Sequence, residues 1–154
     1  MKKKLTSLIV LITALICTLI LASCGGQSAF EEIKNRRNDI DFQLLPDYKI
    51  VCDIKGETFT GKAPSYSVLQ LESEPTEFMQ SFGKKDGNGF SSEKNTELKE
   101  KIDSHANCCL KIPQEHYPNW ESDYKWFNDD GLTDALTIIY FPNEMRLAFY
   151  ESGH

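Results

Sequence analysis

The amino-acid sequence predicts an α+β fold, in which helices pack on one face of an antiparallel sheet of about five strands. Two observations carry this prediction. Several short runs alternate apolar and polar residues, as half-buried strands do, and three extended runs close the chain. In other segments apolar residues recur every three or four positions, as they do in amphipathic helices. The resulting order of elements is α-β-β-α-α-β-β-β.

The first predicted helix covers about residues 28–38. Ser28 and Glu31 have the spacing of a capping box, in which each side chain satisfies a backbone N–H group at the helix start. Phe30 and Ile33 then lie on one face of this helix. The segment is therefore expected to be a short helix with one apolar stripe.

Two strands are predicted next, at 48–55 and 66–71, and apolar and polar side chains alternate throughout the first of them. Gly56 and Gly61 bracket their connection. Residues 57–60 between these glycines are expected to form a loop or a short hairpin arm.

Two further helices are predicted in the middle of the chain. Pro75 suits a first helical position and Gly83 lies just past the last apolar residue, so together they bracket a short helix. Ser91 or Ser92 is expected to cap the next helix, which ends near His105.

The end of the chain predicts a three-stranded antiparallel meander. Its strands are expected at 123–127, 136–141 and 145–150, with turns at 128–131 and 142–144 between them. The middle run is apolar at nearly every position, as is usual for a central strand.

The N-terminus has the three parts of a secretory signal: lysines at 2–4, an apolar run at 5–21, and small residues before a cysteine. Leu21-Ala22-Ser23-Cys24 resembles the lipobox of bacterial lipoprotein signal peptides. That resemblance implies diacylglyceryl transfer to the Cys24 thiol, cleavage before Cys24, and acyl chains such as palmitate at the new N-terminus. A plain transmembrane anchor is the alternative, since the run is long enough to span a bilayer.

The predicted organisation is a cleaved signal peptide at 1–23, a lipidated tether at 24–27 and one domain at 28–154. Seventeen basic and 23 acidic residues give the chain a net charge of −6, and removing the three signal-peptide lysines makes it −9. Such a domain repels phosphates, which argues against a nucleic-acid partner. We therefore expect the lipid to hold the protein at the extracytoplasmic face of the cell membrane.

Cysteine chemistry depends on this processing. Cys17 would leave with the signal peptide and Cys24 would carry lipid, so Cys52, Cys108 and Cys109 remain. A disulfide from Cys52 to Cys108 or Cys109 is one prediction for a protein outside the cytoplasm. The alternative is three buried thiols that pack as small apolar groups.

Residues that suggest catalysis or metal binding lack the required spacing. His105, Cys108, Cys109 and His116 are the residue types of a zinc site, but no C-x-x-C pair is present. No nucleophile elbow, phosphate-binding loop or dinucleotide fingerprint occurs either. The sequence therefore predicts no catalytic residue, no metal ligand and no cofactor.

Aromatic residues are concentrated in the segment 116–127, between acids and amides. They are Tyr117, Trp120, Tyr124, Trp126 and Phe127. They are expected either to complete the core of a small domain or to form a surface for a sugar, a peptide or a protein. The predicted function is thus a non-catalytic binding or protein-interaction role. The alternatives are a small enzyme using a Cys/His or carboxylate site, and a structural envelope protein.

Overall fold

A computed structural model describes residues 28–57, 61–86, 89–129 and 135–153. The helices and strands in this part of the chain are α1 (Ala29–Arg36), β1 (Tyr48–Lys55), β2 (Ser65–Leu71), α2 (Thr76–Asp86), α3 (Thr96–His105), β3 (Lys125–Asp129), β4 (Leu136–Phe141) and β5 (Arg146–Glu151). The predicted signal peptide, the tether and Cys24 lie outside the described residues. None of the described helices combines the length and apolar character needed to cross a membrane.

The strands form one antiparallel sheet in the order β1-β2-β5-β4-β3. Strands β3, β4 and β5 are consecutive neighbours, so the C-terminal meander is confirmed. A 3-10 turn at Pro142–Glu144 joins β4 to β5. The α+β class, the single domain, the five strands and the element order are also confirmed.

The helices do not all lie on one face of the sheet, so that part of the prediction was wrong. Apolar side chains of α1 and α2 pack on one face, and those of α3 pack on the other. The reason is the composition of the inner strands, since all six residues of β4 are buried. A strand that is apolar on both faces needs cover on both faces.

The third helix begins later than predicted. Asn95, and neither Ser91 nor Ser92, caps α3 by accepting a hydrogen bond from the backbone N–H of Leu98 at 2.9 Å. Ser91 instead pairs with Trp126, and their backbones exchange hydrogen bonds of 2.8 and 2.9 Å. This short bridge keeps the residues before Asn95 extended.

The predicted pairing of Cys52 was also wrong. Cys52 is a free, buried thiol on β1, and Cys108 is bonded to its neighbour Cys109. These two cysteines lie in a π-helical turn, Ala106–Leu110, beyond α3, with Cys108 exposed. Burial, with the nearby carboxylates Asp53 and Glu115, raises the pKa of Cys52 to about 11, so the thiol stays protonated.

One carboxylate of the sheet fixes the start of α1. Asp53 on β1 accepts hydrogen bonds from the backbone N–H groups of Ala29 and Phe30 at 3.1 and 3.0 Å, and from the Ser67 hydroxyl at 2.6 Å. The Ser28 hydroxyl accepts a longer hydrogen bond from the backbone N–H of Glu31, at 3.4 Å. Because a helix start has unpaired N–H groups and a partial positive charge, a carboxylate there stabilises it.

The end of α1 is attached to the last strand by a buried ion pair. Glu151 is 1% exposed and forms an ion pair with Arg36. Lys62 Nζ lies 3.7 Å from the same carboxylate, and the Ser65 hydroxyl donates to it at 3.4 Å. A buried carboxylate needs such partners, because desolvation is costly for an unpaired charge.

We predict that Glu151→Gln lowers the free energy of unfolding by about 3 kcal/mol, because it leaves the cationic partners without their buried counter-ion. The matched control is Glu32→Gln, which removes a partly exposed ion pair to Lys55 and is expected to cost less than about 1 kcal/mol. Urea unfolding of both variants measures the difference. Equal losses would contradict the assigned role of Glu151.

Candidate functional site

The five aromatic residues predicted as a binding surface divide between core and rim. Trp120 and Tyr124 are 9% and 5% exposed and belong to the core on the α3 face of the sheet. Tyr117, Trp126 and Phe127 are partly exposed. The core interpretation therefore holds for two rings, and three remain accessible to a ligand.

These rings do not form one continuous surface. Trp126 and Phe127 are neighbours on β3, so their side chains point to opposite faces of the sheet. Tyr117 and Trp120 line a cleft on the α3 face, whereas Trp126 lines a separate groove of about 200 Å³ beside Asn95 and Lys101. The expectation of a single aromatic platform is corrected to three separate locations.

Asp103 on α3 holds the segment around Tyr117 in place. Its Oδ1 accepts hydrogen bonds from the Tyr117 hydroxyl at 2.5 Å and from the Trp120 indole N–H at 3.2 Å. Its Oδ2 accepts one from Lys99 Nζ at 2.6 Å. One carboxylate therefore orients two aromatic rings and a cation.

These contacts change the acidity of both partners. Burial by itself raises the pKa of Asp103, but hydrogen bonds from Lys99, Tyr117 and Trp120 outweigh it, so the pKa lies below its ordinary value. Burial and the neighbouring carboxylate raise the pKa of Tyr117 to about 12. At neutral pH, Asp103 is therefore charged and Tyr117 keeps its proton.

A lysine fixes the other end of the aromatic segment. Lys94 Nζ donates to the carbonyl groups of Trp120 and Ser122 at 3.0 and 2.8 Å, and it lies 4.9 Å from the centre of the Tyr124 ring. The Tyr124 hydroxyl accepts from the Asn95 N–H at 2.9 Å. The segment 117–124 is thus held at both ends of its path along α3.

The cleft beside this segment has a volume of about 440 Å³, within the range of small-ligand sites. We call it the aromatic cleft. Its lining residues are Lys99, Gln114, Glu115, Tyr117, Pro118, Asn119, Trp120, Glu121, Glu144 and Arg146. Donors, acceptors and ring surface are therefore all present within one open cleft.

Arg146, the first residue of β5, is fixed before any ligand arrives. Its Nη1 donates to the Glu115 carbonyl at 2.9 Å and to the Glu144 carboxylate at 3.2 Å. Its Nε donates to the Gln70 side chain at 3.4 Å. A guanidinium held in this way loses little rotamer entropy when a ligand binds to its remaining N–H groups.

A cavity of about 10 Å³, lined in part by His116, shares Tyr117 and Arg146 with the lining of the cleft. The backbone carbonyl of His116 accepts a hydrogen bond from the buried Tyr66 hydroxyl at 3.0 Å. Its ring Nδ1 is buried and has no hydrogen-bond partner among the described residues. The cavity is about large enough for a single water molecule.

The zinc-type residues do not come together. His105 Nδ1 is 2.6 Å from the buried Tyr150 hydroxyl, and burial, together with Lys101, lowers the pKa of His105. In the described part of the chain, no three His, Cys, Asp or Glu side chains are close enough to share a metal ion. His116 lines the small cavity next to the aromatic cleft.

The comparisons with known proteins supply no relative. The chain matches no known protein family, no curated protein and no solved structure. The function must therefore be argued from the geometry of the chain itself.

Sequence reasoning missed the residues that organise this cleft. Asp103 carries a recognisable i,i+4 pairing with Lys99 on a helix, but that pairing is common on solvated helices. Arg146 begins a strand and meets Glu115 only through the tertiary fold. Neither residue had a local pattern that indicated a site.

We predict that Asp103→Asn lowers the free energy of unfolding by about 1–2 kcal/mol at pH 7, because charged hydrogen bonds are lost. Since the folded-state pKa of Asp103 is lowered, its contribution is present above the unfolded value of about 3.9 and lost as the pH falls further. Urea unfolding at pH 7 and at about pH 2.5 should show the difference between wild type and variant shrinking in acid. The exposed Asp123→Asn is the control, and a difference independent of pH would contradict the prediction.

Proposed function

We propose that this protein is a lipid-anchored, extracytoplasmic and non-catalytic binding module whose aromatic cleft takes a neutral saccharide. The observation that carries the proposal is the mixture of groups in the cleft. Side-chain donors, side-chain acceptors and aromatic rings line the same volume of about 440 Å³. Sugars have this dual character, with hydroxyl groups that donate and accept and C–H faces that pack on rings.

The charges of the cleft favour a ligand without net charge. Lys99 and Arg146 face three glutamates, and both cations already contact carboxylates. The remaining carboxylate oxygens suit sugar hydroxyl donors, while the amides of Gln114 and Asn119 both donate and accept. An anionic polymer would meet repulsion both here and from the acidic domain as a whole.

The N-terminus supports the proposed location. The Leu21-Ala22-Ser23-Cys24 sequence follows an apolar run with a cationic start. Only residues 25–27 separate Cys24 from the Ser28 cap of α1, so the tether spans at most roughly 14 Å. A lipidated domain would consequently stay close to the membrane surface and bind glycans of the cell envelope.

Hydrolysis of a bound saccharide is the second candidate function. Glu115, Glu121 and Glu144 lie around the same cleft, and glycoside hydrolysis commonly uses two carboxylates. Appearance of hydrolysis products in the binding experiment below would favour this candidate. A purely structural envelope protein would need no ligand in the cleft.

We predict that Cys24→Ser abolishes both incorporation of labelled palmitate and removal of the signal peptide. The thiol is the acceptor of the lipid, and cleavage before Cys24 follows lipidation. Cys17→Ser is the matched control, because its residue lies inside the apolar run. Labelling and the mass of the mature chain provide the measurement, and a processed, labelled Cys24→Ser protein would contradict the lipid anchor.

We predict that the protein binds a member of a panel of neutral oligosaccharides and that Asn119→Ala and Arg146→Lys each weaken binding roughly five- to tenfold. Asn119→Ala removes an exposed amide, and Arg146→Lys keeps the charge but loses the guanidinium fork. Asn35→Ala, an exposed residue on the opposite face, is the control. Array screening followed by calorimetry measures the affinities. Absence of any binder, or binding that neither cleft variant changes, would contradict the proposal.

A further inference from the structure

The turn that follows α3 places two bonded cysteines at the surface of the protein. In the turn Ala106–Leu110, Cys108 is exposed and its bonded neighbour Cys109 is partly exposed. The residues at the two ends of the turn, Ala106 and Leu110, are buried, and Leu110 belongs to the core on the α3 face of the sheet. The ends of the turn are therefore anchored, and the disulfide between them is accessible from solvent.

This disulfide connects no separate parts of the fold. Its two cysteines are adjacent in the sequence, so the bond has no residues in the loop that it closes. In the chain-entropy model, a disulfide stabilises a fold by restricting the unfolded chain, and the effect becomes smaller as the loop becomes shorter. The turn also has a backbone hydrogen bond of its own, from the Lys111 N–H to the Ala106 carbonyl at 3.2 Å. The fold therefore does not depend on this bond.

The surroundings of Cys108 suit its reduced form as well as its bonded form. The Sγ atom lies 3.8 Å from the backbone carbonyl oxygen of His105, so a thiol formed there by reduction has a hydrogen-bond acceptor within reach. Cys109 stays next to Cys108 in the chain, and the bond can therefore form again without a distant partner. The free thiol of Cys52 is buried, which shields it from reagents in solution.

We infer that the Cys108–Cys109 disulfide is a redox-active site that exchanges two electrons with small thiols. In the first step a thiolate attacks the exposed Sγ of Cys108, the bond to Cys109 breaks, and the Cys109 sulfur leaves with the electron pair. In the second step another thiolate attacks the mixed disulfide and releases Cys108. The two protons lost by the small thiols end on the two cysteines, and the small thiols become a disulfide. The reverse sequence oxidises the protein again.

Exposure distinguishes this site from a structural disulfide. Structural disulfides resist reduction by glutathione, whereas exposed ones are more easily reduced and are the ones used in regulation or catalysis. The site is also separate from the proposed saccharide site, because neither Cys108 nor Cys109 lines the aromatic cleft. The two proposals can therefore fail or succeed independently.

The test is a redox titration of the full chain, in a non-ionic detergent, against mixtures of glutathione and glutathione disulfide. After alkylation and trypsin digestion, mass spectrometry counts the free thiols of the peptide 102–111, which contains both cysteines between Lys101 and Lys111. Rising glutathione is expected to reduce the pair reversibly and completely, with the urea midpoint of the reduced protein unchanged. A pair that stays oxidised in excess glutathione, a pair that never oxidises, or unfolding on reduction would overturn the inference.

Two single variants identify the sulfur that is attacked. Cys109→Ser leaves the exposed Cys108 thiol without its neighbour, so glutathione disulfide is expected to add one glutathione that stays attached as a mixed disulfide. Cys108→Ser leaves the less exposed thiol, which should react at least about fivefold more slowly. Cys52→Ser is the matched control and should not change the titration of the pair. Equal rates for the first two variants would overturn the attack at Cys108, and a titration altered by Cys52→Ser would overturn the inference.

Discussion

The burial of β5 on both faces is the constraint on which the rest of the structure depends. This strand lies between β2 and β4, and its residues from Leu147 to Tyr150 are at most 1% exposed. Successive side chains point to opposite faces, so each face carries apolar area worth roughly 1.5–3 kcal/mol for every large side chain buried. Neither face can be left to solvent, and each acquires its own layer of cover. Helices α1 and α2 cover one face, and α3 with the aromatic segment covers the other.

Carboxylates determine how these layers are oriented, because apolar burial has no direction of its own. Asp53 holds the start of α1 and Glu151 holds its end, while Asp129 on β3 contacts Arg37 just beyond it. Asp103 has the same role on the opposite face, where it orients Tyr117 and Trp120. Part of the acidic excess of the chain is therefore structural. Residues of three strands, β1, β5 and β3, therefore fix the orientation of α1, the helix that follows Cys24 in the sequence.

Local patterns predicted the elements, and nonlocal contacts decided what the patterns left open. The alternation of apolar and polar residues correctly identified strands, because it shows which side chains of a single segment are buried. The helical pattern could not show which face of the sheet a helix covers, since α1 and α3 have similar apolar stripes. Ser91 and Asn95 are both good cap residues, and the bridge to Trp126 selected the later one. The contact of Arg146 with Glu115 likewise depends on the tertiary fold.

The aromatic segment shows how one stretch of sequence can cover both faces of the sheet. Before β3, the chain runs along α3, and Tyr117 and Trp120 are oriented by a single carboxylate into the aromatic cleft. Once the chain enters β3, the two-residue period of a strand sends Trp126 to the α3 face and Phe127 to the other. Aromatic residues are therefore concentrated in this segment because the chain reaches the edge of the sheet there and packs side chains on both of its faces. The partly exposed rings lie at the rim of each layer, and Tyr117 alone among them lines the aromatic cleft.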